Sequence, residues 1–490
     1  MKLFKGGAKL KNPQNQGFKP IIDMLSNPNC NLDLLSINSS VGFVYSFTIP
    51  PEYSEYLGFN NSTSEFDIPI TDFVLKIAIV GIDDRTLPLI NIALPGYPVK
   101  YISKFNTTKT NIFNEVHIQQ QVWRTSSSYN RKPICPSVEN LSFLNKKNGI
   151  KFIEFLLHNK MEPGNINLLR FTSYLLNELS NPSYNEEGLG IILMPKVMNS
   201  EPIMDFLHKN PISPIVYANT LAVIIRLFIF IGVFDFDLNY GNILVNYEQT
   251  FTKTASIVTK STTIIDFGYC SNLNIIQTDE YFTLEKKNII NEYRDELKQK
   301  FIDISQDNSP LDISGINQRK YLFINEIVQN IQSIIKETPR KGVELWQAVK
   351  NPKEKKYSDG DCWATKEMLE YIIKNGPMIM LRQTVRDTDI VKFFVKTFDF
   401  LKELLTDTGR ITDLSQIISS EELHGDGFSD FTSTTPEMLT HVMHTENKTS
   451  VCKTPKCVLI GGKYFKKSKK IRKSKKTRKS KKTIKSMSYK

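Results

Sequence analysis

Hydrophobic positions change their spacing along the chain. In the first 200 residues they gather into short runs rich in β-branched and aromatic side chains, as strands do: 41–49, 73–80 and 189–197. One segment of this part, 111–123, has the spacing of a helix. From residue 215 onward the spacing is mainly helical: 216–232, 287–302, 320–337, 366–375 and 380–404. A strand-rich part followed by a helix-rich part predicts an α+β fold in two lobes.

One strongly apolar stretch, Leu221–Phe234, contains Arg226. A helix that spans a membrane needs about 20 apolar residues, and this stretch is shorter. We therefore predict a helix in the core of a globular protein and no transmembrane segment. The N-terminal residues also lack the apolar run of a secretory signal.

The cysteines point to an intracellular protein. The chain has six cysteines and six histidines, with no C-x-x-C pair and no metal-ligand spacing between the two residue types. Scattered cysteines of this kind predict reduced thiols in a cytosolic compartment rather than disulfides or a zinc site.

Positive charge is concentrated near the C-terminus. The net charge is +12, but residues 463–490 hold 15 Lys and Arg and no acidic residue, which leaves −3 for the rest of the chain. A Lys-Ser-Lys-Lys repeat begins at Lys467, Lys473 and Lys479. Like charges at this density repel each other and bury no apolar surface, so we predict a disordered basic tail, preceded by a polar linker at 406–462.

Oxygen-bearing side chains follow two strand-like runs near the middle of the chain. Asp237 and Asn242 lie five positions apart before an Ile-Leu-Val run, and Asp266 follows Ile-Ile and precedes Phe-Gly. We expect the three side chains to converge at one edge between strands and loops. Such ligands suit Mg²⁺, which proteins usually bind through one or two carboxylates together with substrate phosphates.

These motifs resemble the protein kinase superfamily, whose pattern is H-R-D-L-x-x-x-N followed by D-F-G. The resemblance implies that Asp237 is the catalytic aspartate, which accepts or orients the proton of the substrate hydroxyl. It also implies that Asn242 and Asp266 hold Mg²⁺ on the phosphates of ATP.

The sequence departs from the family pattern at several positions. Asp235 replaces the motif His and Phe236 replaces the Arg, so activation through an Arg–phosphate pair is not expected. Asn239 stands where serine/threonine kinases usually carry Lys, which leaves the substrate class open. No A-P-E motif follows Asp266 at the ordinary distance. The segment Asp361–Ala364 resembles the family's D-x-W motif, but it lies further along the chain than usual.

Shorter matches predict the rest of the nucleotide site. Gly42 and Val44 resemble the end of a Gly-rich loop, where glycine lets the backbone approach a phosphate closely. Lys76 resembles the strand lysine of V-A-I-K, and Lys100 is the alternative. Glu115, on the inward face of the predicted helix, is the expected partner of that lysine.

Met194 and Val197 end a predicted strand and resemble the hinge, where the backbone would bind the adenine edge. The resemblance thus divides the chain into an N-terminal extension (1–35), a β-rich N-lobe with inserts (36–195) and a helical C-lobe (196–405).

The long inserts and the repetitive tail are similar to those of divergent kinase-like proteins of large cytoplasmic DNA viruses. That resemblance implies a location in the host cytoplasm, or in the virion. The expected activity is transfer of phosphate from ATP to protein hydroxyls, with Mg²⁺ as the metal. The alternatives are a small-molecule kinase of the same superfamily and a catalytically silent kinase fold that serves as a structural or binding module.

Removal of the basic tail tests its predicted role. Its 15 positive charges are expected to bind nucleic acid without sequence preference and with strong salt dependence. Truncation after Gly462 should therefore abolish retention on a DNA column and leave nucleotide binding intact. Equal retention of the truncated and full-length proteins at moderate salt would contradict this prediction.

Overall fold

The structure is a computed structural model, and it describes these residues: 19–36, 43–51, 60–61, 68–81, 90–92, 100–102, 106–127, 133–160, 166–180, 186–209, 214–250, 256–307, 312–338, 363–377 and 386–405. The chain divides into two compact units, Met1–Leu439 and Thr440–Lys490, and all described residues belong to the first. The predicted linker and basic tail lie outside the described residues.

The structure has both strands and helices, as the predicted α+β class requires. The described strands, β1 to β15, are Leu32–Ser36, Phe43–Thr48, Asn60–Asn61, Ile68–Pro69, Asp72–Gly81, Ile90–Ile92, Lys100–Ile102, Asn106–Thr107, Asn140–Asn145, Glu186–Pro195, Ser200–Pro202, Val233–Asp235, Ile243–Thr250, Ser256–Ile264 and Cys270–Asn272. The described α-helices, α1 to α10, are Lys19–Ser26, Lys109–Ser127, Lys146–Asn159, Ile166–Ser180, Ile203–Lys209, Pro214–Ile225, Leu284–Gln306, Ile313–Glu337, Ala364–Asn375 and Asp387–Leu405. A π-helical segment, Arg226–Ile231, continues α6.

The largest sheet has the strand order β1-β2-β5-β10-β9. These neighbours are antiparallel, and β8 adds to β5 in parallel. Phe73, Leu75 and Ile77 are fully buried and alternate along β5, so they share one face of the sheet. Lys76 therefore points to the opposite face.

Helix α2 covers the face of the sheet to which Lys76 points. Ile112 and Val116 of α2 form a buried cluster with Ala78 and Val80 of β5. The apolar contact fixes the helix across the central strands, because a buried side chain of this size contributes about 1.5–3 kcal/mol by leaving water.

The helices after residue 213 pack around one large apolar cluster. Helix α10 packs against α6 and α8, α9 packs against α6, and α7 packs against α8 and the π-helical segment. Strands β11, β13 and β14 form a three-stranded antiparallel sheet beside these helices, and β12 pairs with β15. Phe267 and Ile243, which flank the motif residues, belong to the same cluster, so the helical core supports both motifs.

The apolar stretch predicted as a core helix is α6 with its π-helical continuation. By length and composition Pro214–Ile231 is apolar enough to span a membrane, with a mean hydropathy of 2.0. Of this window, 78% is buried inside the protein. The π-helical spacing changes the backbone hydrogen bonds here, and the buried guanidinium of Arg294 donates Nε to the carbonyls of Phe228 and Ile229 at 3.0 and 3.2 Å.

The helix predicted at 111–123 is α2, and three helices that the sequence pattern did not single out, α1, α3 and α4, also lie in the first 200 residues. Helix α3 carried a readable signal. Asn145 caps it by accepting a hydrogen bond from the Asn148 N–H, and its buried residues Phe152, Phe155 and Leu156 have helical spacing. In addition, β1 pairs with β2, so residues assigned to the N-terminal extension join the largest sheet.

Replacing Gly232 by alanine tests the junction between the π-helical segment and β12. Gly232 has φ = 80°, and an added Cβ would lie 2.2 Å from Asn274 Oδ1 and 2.5 Å from Arg294 Nη2. Backbone strain and displacement of Arg294 should together lower the free energy of unfolding by about 3 kcal/mol, measured by denaturant titration. The control is Gly268→Ala, whose Cβ would make only ordinary contacts, the closest at 3.4 Å from Asp266 Oδ1. Equal stability of the two variants would contradict this account.

Candidate active site

Lys76 is the centre of a buried charge cluster. Its Nζ lies 2.6 Å from Glu115 Oε1 and 3.2 Å from Asp266 Oδ1. The side chains of Lys76 and Glu115 are 8% and 7% exposed, and that of Asp266 is 39% exposed. The lysine thus joins strand β5, helix α2 and the loop after β14, which are distant in the sequence.

The charge state of Lys76 follows from its two partners. Burial alone would lower its pKa, but the negative charges of Asp266 and Glu115 raise the pKa above its ordinary value. An isolated buried ammonium is costly, whereas one that is paired and hydrogen-bonded keeps its proton. Lys76 is therefore a fixed cation whose position is set by two carboxylates.

Asp266 has an unusual backbone conformation. Its φ is 66°, which is uncommon for a residue other than glycine. The preceding residue, Ile265, donates its N–H to the carbonyl of Asn242 at 2.9 Å, so the two motifs are joined through the backbone. Asp266 thereby presents a partly exposed carboxylate next to the buried lysine. Strain of this kind is typical of functional sites.

Backbone hydrogen bonds and amide side chains hold the loop around Asp237. The Asp237 N–H donates to Asp235 Oδ1 at 2.9 Å, and its carbonyl accepts from Asn242 Nδ2 at 2.8 Å. The Asn239 side chain donates to Asp237 Oδ2 at 3.3 Å. Asn239 thus orients the Asp237 carboxylate directly.

Asp235, which replaces the motif histidine, lies in the core with 4% of its surface exposed. Burial raises the pKa of its carboxyl well above the ordinary value, and the hydrogen bond from the Asp237 N–H opposes this shift. Cys270 faces it across the β12–β15 pair. Asp235 therefore titrates at a higher pH than an ordinary aspartate and serves as an acceptor that shapes the loop.

Phe236, which replaces the motif arginine, sits in an aromatic cluster. Its ring centroid lies 4.7 Å from that of Tyr281, in a stacked arrangement, and 4.9 Å from that of Trp363. The rings of Phe234 and Phe282 lie at 4.8 and 5.6 Å. Apolar contact thus links the loop before Asp237 to the segment after Gly268.

The segment between Gly268 and α7 is short and firmly held. Lys287 of α7 is 2% exposed, and its Nζ lies 2.8 Å from Asp279 Oδ2. The same Nζ donates to the carbonyl of Asn272 at 2.9 Å, and the Ser271 hydroxyl donates to Asp279 at 2.6 Å. The buried ammonium group of Lys287 therefore fixes the segment between Gly268 and α7.

Other predicted site residues lie around the same sheet. Val44 of β2 is directly opposite Lys76 in the strand register. Met194 is the second-last residue of β10, and its sulfur accepts from Gln119 Nε2 of α2 at 3.1 Å. Val197 lies in the following loop, and its carbonyl accepts from the Ser200 hydroxyl at 2.7 Å.

Three predictions fall wholly or partly outside the described residues. Gly42 precedes β2 and is one of them, as is Asp361 of the D-x-W-like motif. For Lys100, the rival of Lys76, the structure describes the backbone strand alone. Trp363 of the same D-x-W-like motif is described, and its indole donates Nε1–H to the Thr338 carbonyl at 2.8 Å.

The donor set suits a hard divalent cation. Within the described part of the chain, no group of three or more His, Cys, Asp and Glu side chains could bind a metal alone. Mg²⁺ commonly takes one or two protein oxygens and completes its shell with phosphates and water. The carboxylate of Asp266 and the amide oxygen of Asn242 fit that pattern, because the Asn242 NH₂ group is already directed at the Asp237 carbonyl.

Comparison with known proteins adds no relatives. The sequence matches no protein-family model, and no curated protein is significantly similar to it.

Replacing Lys76 by methionine tests the buried charge cluster. The variant leaves Glu115 in the core without its cation, so the free energy of unfolding should fall by about 3 kcal/mol. The additional change Glu115→Gln should recover most of that loss, because it removes the unpaired charge. Both values come from denaturant unfolding at pH 7.

The control is Lys300→Met, which removes an exposed lysine 2.9 Å from Glu326. An exposed ion pair of this kind contributes at most about 1 kcal/mol. A Lys76→Met variant no less stable than Lys300→Met would show that the buried contact does not stabilise the fold.

Proposed function

We propose that this chain is an ATP- and Mg²⁺-dependent phosphotransferase with a two-lobed, protein-kinase-like fold. The sheet around β5 and β10 would form the N-lobe, and α6 to α10 would form the C-lobe. The observation that carries the proposal is the contact of Lys76 with both Glu115 and Asp266. A kinase needs that lysine–glutamate ion pair next to the metal-binding aspartate.

The residues of the site have distinct roles in this proposal. Lys76 would neutralise phosphate oxygens, and Asp266 and Asn242 would hold Mg²⁺. The backbone from Met194 to Val197 would bind the adenine edge. When bound, ATP supplies the phosphoryl group and Mg²⁺ balances its negative charge.

Asp237 would act on the acceptor. Asp237 is half-buried, and the Asn239 amide donates to its Oδ2 at 3.3 Å, which sets the orientation of the carboxylate that would receive the hydroxyl proton. A proton acceptor works only within hydrogen-bond reach of the group it deprotonates. The loop contacts from Asp235 and Asn242 keep Asp237 in place for this step.

A protein hydroxyl is the first proposed acceptor. A small-molecule alcohol is the second, and the short segment between Gly268 and Leu284 favours it. That segment is held by the buried Lys287 and carries no A-P-E motif, so it offers little of the platform on which protein kinases bind peptides.

Phosphate transfer from radiolabelled ATP·Mg²⁺ tests the proposal directly. Wild-type protein and the Asp266→Asn variant are each assayed with three kinds of acceptor: the protein itself, a generic basic protein and a panel of small alcohols. Removing the metal carboxylate should reduce transfer at least about 100-fold. The control is Asp303→Asn, which changes an exposed carboxylate on α7 that accepts a hydrogen bond from Gln299.

The outcomes separate the candidate functions. Transfer to protein or to an alcohol that disappears in Asp266→Asn supports the proposal and identifies the acceptor class. No transfer together with no thermal shift on adding ATP·Mg²⁺ would contradict it. A catalytically silent structural or binding module would then be the better account.

A further inference from the structure

Thr365, at the start of α9, makes contacts that tie this helix to the loop around Asp237. It is 1% exposed. Its hydroxyl donates to the carbonyl of Asp235 at 2.9 Å and accepts from the N–H of Leu238 at 2.9 Å. Its own N–H donates to the carbonyl of Phe236 at 3.2 Å. One residue therefore binds three backbone groups on both sides of Asp237.

These contacts fix the peptide unit that follows Asp237. The carbonyl of that unit accepts from Asn242 Nδ2 at 2.8 Å, and its N–H donates to the Thr365 hydroxyl. The N–H before Asp237 is already held by Asp235 Oδ1. With both ends of one peptide unit bound, the Asp237 Cα has little freedom to rotate or shift.

Helix α9 is itself anchored, so Thr365 works from a fixed base. The neighbouring Trp363 donates Nε1–H to the Thr338 carbonyl and packs on the Phe236 ring at 4.9 Å. Met368 and Leu369 of the same helix are at most 1% exposed. The loop is therefore positioned by an element 127 residues further along the chain.

We propose that Thr365 is a positioning residue for phosphate transfer, one that fixes the Asp237 carboxylate through the backbone. The proposal rests on the function proposed above. Without the hydroxyl, the Asp235 carbonyl loses this donor and the Leu238 N–H loses this acceptor. Leaving buried polar groups without these hydrogen bonds is costly. The loop relieves this cost by shifting, and a displacement of about 1 Å at a catalytic group can reduce a rate about 100-fold.

Three variants test this proposal. Thr365→Val keeps the shape and removes the hydroxyl, Thr365→Ser keeps the hydroxyl, and Thr397→Val is the matched control. Thr397 is also fully buried, but its hydroxyl donates to the Phe393 carbonyl within α10, away from the loop. Thermal unfolding of each variant first establishes the fraction of folded protein.

Two readouts are expected to move in Thr365→Val alone. The kcat for phosphate transfer should fall about 100-fold while KM for ATP changes less than about twofold, and Thr365→Ser should recover most of kcat. Amide hydrogen exchange of residues 235–242, which needs no activity, should become faster in Thr365→Val and remain as in the wild type in Thr397→Val.

Other results would overturn the proposal. A purely stabilising role predicts the same kcat per folded molecule in Thr365→Val and Thr397→Val, and unchanged exchange of the loop in Thr365→Val would show that the hydroxyl does not hold it. Wild-type protein that transfers no phosphate would overturn the proposed function and with it the catalytic part of this inference. Faster exchange in Thr365→Val would in that case still show that the Thr365 hydroxyl holds the loop around Asp237.

Discussion

A lysine buried between two carboxylates is the constraint on which the rest of the site depends. Lys76 keeps its charge in the core only because Glu115 and Asp266 lie within 3.2 Å of it. Separating β5 from α2 would leave Lys76 or Glu115 charged in the core without its closest partner, at a cost of several kcal/mol. Moving the loop after β14 would take the partly exposed Asp266 away from the lysine. Strand β5, helix α2 and the loop after β14 therefore have one favourable arrangement, and the packing of Ile112 and Val116 on the sheet agrees with it.

Around Asp237, too, aromatic contacts and a buried ion pair together hold the backbone. Phe236 fills a cluster of aromatic rings, and the segment after Gly268 is fixed by Lys287 and Asp279. None of these contacts needs an added phosphate. The loop and the following segment are therefore ordered by the chain's own core.

Part of this arrangement could be predicted from the sequence, because it follows from local patterns. The match of residues 74–77 to V-A-I-K singled out Lys76, and helical spacing turned Glu115 inward; in the structure the two side chains meet. Helix α3 had a readable cap and apolar spacing. Thr365 could not be found in this way, because a single threonine has no periodic signature and its partners lie 127 or more positions away.

The burial of Phe236 limits the paths by which this sequence can change. Its ring is fully enclosed by Phe234, Tyr281, Phe282 and Trp363. A single substitution of Phe236 by arginine would place a guanidinium among aromatic carbons, and residues in such contact change stability non-additively. An arginine at this position would fit only if several of these rings became smaller or polar together. The packing therefore opposes single substitutions of Phe236, and sequence variants that keep this fold are expected to keep the aromatic cluster.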